Sequence, residues 1–119
     1  MTALTNYFSG VAAESAVAKT YLEAGYVFEE ARWRGRSGEI DLILRQGDTF
    51  IFVEVKKSAN HEQAAARITP RQTRRIMQAA LEFVADHPKG QDTSMRFDAA
   101  LVDQFGQVSI LESALCGLV

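Results

Sequence analysis

Gly38-Glu39-Ile40-Asp41-Leu42-Ile43-Leu44-Arg45, a break at Gln46-Gly47-Asp48, then Thr49-Phe50-Ile51-Phe52-Val53-Glu54-Val55-Lys56-Lys57 decide how this 119-residue chain reads. Both runs are rich in strand formers, and the break between them carries turn chemistry. The second run opens without polar alternation, which predicts a strand covered on both faces, at the centre of an α/β sheet. Side chains two apart on a strand share a face. Glu54 and Lys56 therefore continue the face that Phe50 and Phe52 begin. In the first run Asp41 lies between Ile40 and Leu42 and shares its face with Ile43. A carboxylate in such a run is costly to bury unless it is paired or ligated. If the two runs form a hairpin, Asp41 and Glu54 become cross-strand neighbours of like charge, which repel. A divalent cation together with Lys56 would compensate them. Two carboxylates and a backbone carbonyl, that of Val55, form a sparse oxygen site of the kind Mg²⁺ accepts while keeping part of its water shell. Such an ion acidifies bound water and stabilises charge on a phosphoryl transition state.

Working outward, Thr5 to Ala24 is a predicted helix, with Val11, Ala18, Tyr21 and Leu22 at helical spacing and Gly25 at the cap. Tyr26 to Arg34 is a predicted strand, turned by Gly35-Arg36-Ser37-Gly38. Ser58 to Arg67 reads as a loop or short helical turn. Thr69 then suits an N-cap, Pro70 the first helical position and Gln72 a capping box. The buried face of that helix is expected from Ile76, Met77, Ala80, Leu81 and Val84, with His87-Pro88-Lys89-Gly90 ending it. Strands are expected at Arg96–Asp103 and Val108–Leu111, and the last residues as a short docked helical segment. The order α-β-β-β-α-β-β predicts an α/β fold, one mixed sheet flanked by helices, in a single domain over 1–119.

Composition narrows the class. The single cysteine, Cys116, excludes an internal disulfide framework and a Cys-based zinc site. No basic stretch followed by a long apolar run marks a signal peptide, and no window approaches a membrane span. A cytoplasmic protein without a membrane partner is the expectation.

The ordered residues are similar to the YraN family of small bacterial proteins, which resemble Holliday-junction resolvases in the PD-(D/E)XK nuclease superfamily. Gly38-Glu39-Ile40-Asp41-Leu42-Ile43 and Phe52-Val53-Glu54-Val55-Lys56 carry the resemblance. Gly10, Glu14, Ala18, Tyr21-Leu22, Gly25-Tyr26, Arg32-Trp33-Arg34 and Arg96-Phe97-Asp98 extend it over roughly Gly10 to Asp103. The resemblance implies a restriction-endonuclease-like fold and a metal-dependent endonuclease acting on DNA, with branched or structured DNA as a substrate class. It places Asp41, Glu54 and Lys56 at the D…ExK positions. Asp41 and Glu54 would bind Mg²⁺ or Mn²⁺, and Lys56 would assist the attacking water. Glu14 matches the acidic helix residue that completes the metal site in resolvase-like members. Gln72 stands where the family usually has a lysine and supports the site. A homodimer follows by analogy with enzymes that cut two strands symmetrically.

The formal net charge of -2 conceals an uneven distribution. Residues 31–75 hold ten Lys/Arg against five acids, a local surplus of +5, and the remainder carries -7. Arg71, Arg74 and Arg75 fall in the first turns of the second predicted helix, a reasonable phosphate site, and Arg34 and Arg36 flank the basic turn. These five are the expected nucleic-acid contacts. A plainer reading stands beside each assignment. Glu54 and Lys56 could be a solvated strand edge, Asp41 a strand-end residue held by turn amides, and Glu14 a solvent-reaching residue. Gln72 could simply close the capping box, the arginines form a solvated rim, and Trp33 belong to the core. At the level of function, a non-catalytic nucleic-acid-binding module and a protein-interaction domain are the alternatives.

Overall fold

The computed structural model describes residues 12–115. The first helix's expected start at Thr5–Val11, and Cys116 with the residues after it, lie outside them. The elements in chain order are α1 (Ala12–Glu23), β1 (Val27–Arg34), β2 (Glu39–Gln46), β3 (Thr49–Lys57), α2 (His61–Ala66), α3 (Pro70–Val84), a 3₁₀ turn (Gly90–Asp92), β4 (Ser94–Val102) and β5 (Val108–Leu111). The strands form one sheet in the order β1-β2-β3-β4-β5. β3 is its centre: it runs antiparallel to β2 and parallel to β4. The parallel step needs a crossover, and α2 and α3 supply it. This is the restriction-endonuclease-like α/β arrangement.

Alternation along the strands splits the core in two. Ala31, Leu42, Leu44, Ile51, Val53, Ala100 and Val102 pack beneath Val17, Ala18 and Tyr21 of α1. Ile43, Phe50, Phe52, Phe97 and Ala99 pack beneath Ile76, Ala79, Ala80 and Val84 of α3. β3 is thus covered on both faces, as its unbroken apolar start required. Full burial of a side chain such as Ile51 or Phe52 contributes about 1.5–3 kcal/mol, so both helical layers are needed to hold a chain of this size.

Local signals account for most of the boundaries. Gly25 takes φ +94° after α1, where a Cβ would be strained. Thr69 caps α3, its Oγ1 accepting from the Gln72 amide at 3.2 Å. Within Ser58–Arg67, Asn60 Oδ1 accepts from the Gln63 amide at 2.8 Å and nucleates α2, so the segment is partly helical. One apolar residue departs from expectation: Leu81 is 41% exposed and Ala79 is buried in its stead. The α3 stripe rotates because Phe83 packs edge-on to Trp33 (5.3 Å) and Phe50 (5.5 Å). Trp33 accordingly belongs to the core, on the side of α3.

On the α1 face a polar knot ties helix to sheet. Asp98, fully buried, accepts from Tyr21 Oη at 2.8 Å, Arg96 Nε at 2.9 Å and the Ser113 amide at 3.0 Å. Arg96 Nη2 also reaches Tyr26 Oη at 2.9 Å. Burial beside that carboxylate drives the Tyr21 phenol far above its ordinary range, so it stays a donor.

Candidate active site

β2 and β3 pair from Gln46↔Thr49 to Leu42↔Val53. The next pair would be Asp41 and Glu54, and there the backbone ladder ends. The Asp41 side chain takes its place, Oδ2 accepting from the Val55 amide at 2.8 Å. β3 continues alone against β4 as far as Lys57↔Val102. The two carboxylates expected as cross-strand neighbours therefore sit at the point where the strands part. The amide-held reading of Asp41 is realised too, with a strand amide in place of a turn amide.

The parting opens a cleft of about 140 Å³ between this end of β3 and the start of α3. Gly38, Glu39, Asp41, Glu54, Gln72, Arg75 and Ile76 line it. Glu54 Oε1 lies 3.0 Å from Lys56 Nζ, and the two side chains are only 13% and 12% exposed. That exposure rules out the solvated-edge reading: a pair this enclosed is held, not trailing in water. Gln72 does not close its capping box. Its amide satisfies both neighbours with the nitrogen donating to the Arg67 carbonyl at 3.1 Å and the oxygen accepting from Lys56 Nζ at 3.3 Å. The Lys56 ammonium is thus clamped between a carboxylate and an amide oxygen.

The electrostatics of the cleft are unbalanced. Burial, then the nearby Glu54 charge, push the Asp41 carboxyl from 3.8 up to about 7, against the opposing pull of the Val55 amide and Lys56. Glu14 reaches the same neighbourhood from α1, on the other face of the sheet. Burial raises its pKa as well, although Arg32 counters it. Arg32 Nη1 lies 3.0 Å from Glu14 Oε2 and reaches it from a left-handed backbone at φ +51°, an uncommon state for arginine. Among the described residues, no three His, Cys, Asp or Glu side chains converge as a metal cluster. Glu14 is turned to Arg32, Glu54 to Lys56 and Asp41 to Val55. Each carboxylate of the expected set of Glu14, Asp41, Glu54 and the Val55 carbonyl thus has an internal partner, while the charges of Glu54 and Glu14 both act on Asp41.

The basic residues divide. Arg71, Arg74 and Arg75 are exposed on the first turns of α3, and no described residue pairs with them. The Arg75 guanidinium lies against Gly38, where a Cβ would sit 3.6 Å from Nη2. Arg34, also exposed, faces Glu39 Oε2 at 3.3 Å.

Arg36 belongs to a turn that the sequence did not flag as anchored. Glu82 of α3 accepts from the Arg36 amide at 2.6 Å, from the Ser37 amide at 3.0 Å and from the Ser37 hydroxyl. Those donors hold the Glu82 carboxyl below its usual range. Gly35 fits closely beneath this clamp: a Cβ there would meet Glu82 Oε1 at 2.7 Å and the Trp33 ring at 2.8 Å, so one of them would have to shift. Glu82 lies 46 residues from Arg36 in sequence, and only the packing of α3 on the sheet brings them together.

A family model described as uncharacterised protein family UPF0102 matches residues 13–102. A UPF0102 protein of Roseobacter denitrificans is 56% identical over 109 residues, covering 92% of this chain and 84% of the relative. One from Cereibacter sphaeroides is 53% identical over 114 residues, covering 96% and 97%. One from Ruegeria pomeroyi is 50% identical over 109 residues, covering 92% and 89%.

Proposed function

The chain belongs to the UPF0102 family, and on that premise we propose that it is a divalent-metal-dependent endonuclease that hydrolyses phosphodiester bonds in DNA, branched or structured DNA among its substrates. One observation carries the reading. Asp41, Glu54 and Gln72 line a cleft at the end of the central strand, with Lys56 held between Glu54 and Gln72, beneath a helix start bearing three exposed arginines. The nuclease-like fold supplies the frame, and fold alone does not confer activity.

The cleft suits a hard divalent cation. Its donors are oxygens, and Asp41 beside Glu54 is a concentration of like charge that such an ion would relieve. Asp41, Glu54 and the Val55 carbonyl would hold Mg²⁺ or Mn²⁺, with Glu14 joining if it leaves Arg32. The ion would acidify a bound water and neutralise charge on the scissile phosphate. Lys56, fixed by Glu54 and Gln72, orients the attacking water and offsets developing negative charge. Gln72 positions that ammonium without adding a second cation. Arg75 at the rim, with Arg71, Arg74, Arg34 and Arg36 around it, meets the phosphate backbone.

The test is cleavage of junction, flap and linear DNA in Mg²⁺ or Mn²⁺ by the wild type, Asp41→Asn and Lys56→Ala. Both substitutions are expected to abolish cutting. Activity that survives either one refutes the proposal. A non-catalytic binding module remains the second reading, favoured by the inward-turned carboxylates. It predicts binding that persists in EDTA and no cleavage of any substrate.

A further inference from the structure

β3 and β4 run parallel, so the turn that leaves β4 emerges at the same end of the sheet as Glu54 and Lys56. That turn, Asp103 to Gln107, is tightly fastened. Asp103 Oδ1 accepts from the Phe105 amide and the Gln107 amide, both at 2.9 Å. The Gly106 amide donates to the Asp103 carbonyl at 3.0 Å, with Gly106 at φ +82°. The Gln104 amide donates to the Ala59 carbonyl at 3.4 Å, and His61 Nε2 meets the Gln107 carbonyl at 2.9 Å. At its tip Phe105 is 79% exposed and is the one exposed aromatic residue among those described. A large apolar ring held out to water on an anchored turn gains nothing for the fold.

Two cations stand at the same end of the sheet. Lys57, exposed, pairs with Val102 just before the turn. Arg67 Nη1 donates to the Lys57 carbonyl at 2.6 Å, and the Arg67 carbonyl in turn accepts from Gln72. A path of hydrogen bonds through the backbone of Lys57 and Arg67 thus links the Phe105 turn to the Lys56 clamp. From Glu54 to Lys57 the strand advances about 10 Å, between one and two nucleotide steps of an extended strand.

We propose that Phe105 is a base-stacking residue: it receives an unpaired nucleobase of a DNA strand whose backbone is held by Lys57 and Arg67, and so selects branched or gapped DNA over continuous duplex. The proposal rests on the reading that this face takes nucleic acid. Every base offers a π-face, but in a continuous duplex those faces are already stacked, so the ring rewards only a base that is free.

The test measures binding by full-length protein in EDTA, where no cutting occurs. The probes are a labelled continuous duplex and the same duplex with a gap containing an unpaired 2-aminopurine. Wild type is expected to favour the gapped probe and to quench the 2-aminopurine on binding. Phe105→Ala is expected to lose roughly tenfold on the gapped probe, with the quenching, and less than about twofold on the duplex. Phe105→Trp is expected to restore both signals. Because the ring is exposed, unchanged melting of both variants verifies the fold. Equal affinities of Phe105→Ala and wild type for the gapped probe overturn the stacking role. So does a loss of equal size on both probes. If Arg71→Ala with Arg74→Ala still weakens binding in those cases, the nucleic-acid reading stands without Phe105. If folded wild type binds neither probe, both readings fall together.

Discussion

Asp41→Asn isolates the electrostatic tension of the cleft. Asparagine keeps an oxygen for the Val55 amide, 2.8 Å away in the parent, and removes the charge that faces Glu54. The folded carboxyl titrates near 7 and its ordinary value is 3.8. Between those values the native chain holds a proton that the unfolded chain has released, so native stability falls as pH rises through the window. About three pH units at about 1.4 kcal/mol each set a ceiling near 4 kcal/mol. Asp41 borders an open cleft, and solvent screening reduces that to about 1–2 kcal/mol. At roughly 4 °C per kcal/mol, Asp41→Asn is expected to melt about 4–8 °C above wild type at pH 8 without metal. The gap should close at pH 4, where both side chains are neutral. Adding Mn²⁺ at pH 8 should raise the wild type and leave the variant unmoved. Thermal denaturation from pH 4 to pH 9, with EDTA and with Mn²⁺, reads all of this. A variant less stable than wild type at pH 8, or a gap that ignores pH, would refute the assignment of charge strain to Asp41.

Other expectations follow from the same contacts. Tyr21→Phe removes one donor to the buried Asp98 carboxylate and should cost about 1–3 kcal/mol in urea denaturation, while Asp98→Ala, which strands Arg96, should cost about 3–5 kcal/mol. Gly35→Ala drives a methyl into Glu82 and Trp33 and should lower stability by about 1–3 kcal/mol, whereas Leu81→Ser on the exposed side of α3 should stay within about 0.5 kcal/mol. Gln72→Ala should leave the melting temperature nearly unchanged yet reduce cleavage on the order of tenfold or more, because a freed Lys56 loses its orientation. An unchanged cleavage rate would remove Gln72 from the site.

The central strand was legible because its chemistry is local: an unbroken apolar start declares two covered faces, and Thr69-Pro70 and Gly25 declare helix ends on their own. Asp41, Glu54 and Lys56 were legible as charges in runs that would otherwise be apolar. The orientation of those charges was not. Whether Glu54 turns toward Lys56 or toward Asp41 is decided by what α3 lays across the cleft, and so is the choice between the two readings of Gln72, capping residue or support of the site. Glu82 was invisible for a related reason. On a helix wheel it is another polar residue, and its role exists only once the Gly35–Gly38 turn is brought beneath it. Leu81 shows the converse: helical spacing marks a stripe, but the ring packing of Phe83 against Trp33 and Phe50 sets the rotation of that stripe.

The hydrogen bond from Val55 to Asp41 gives the centre a built-in reporter. An amide proton held by a carboxylate at the frayed end of a strand pair is sheltered from exchange only while that carboxylate stays put. If Asp41 swings toward a cation, one backbone proton loses its shelter while the rungs from Val53 back to Thr49 keep theirs. A single resonance in a nitrogen-edited spectrum would then record the assembly of the site, and would do so in a protein that had not yet met its substrate.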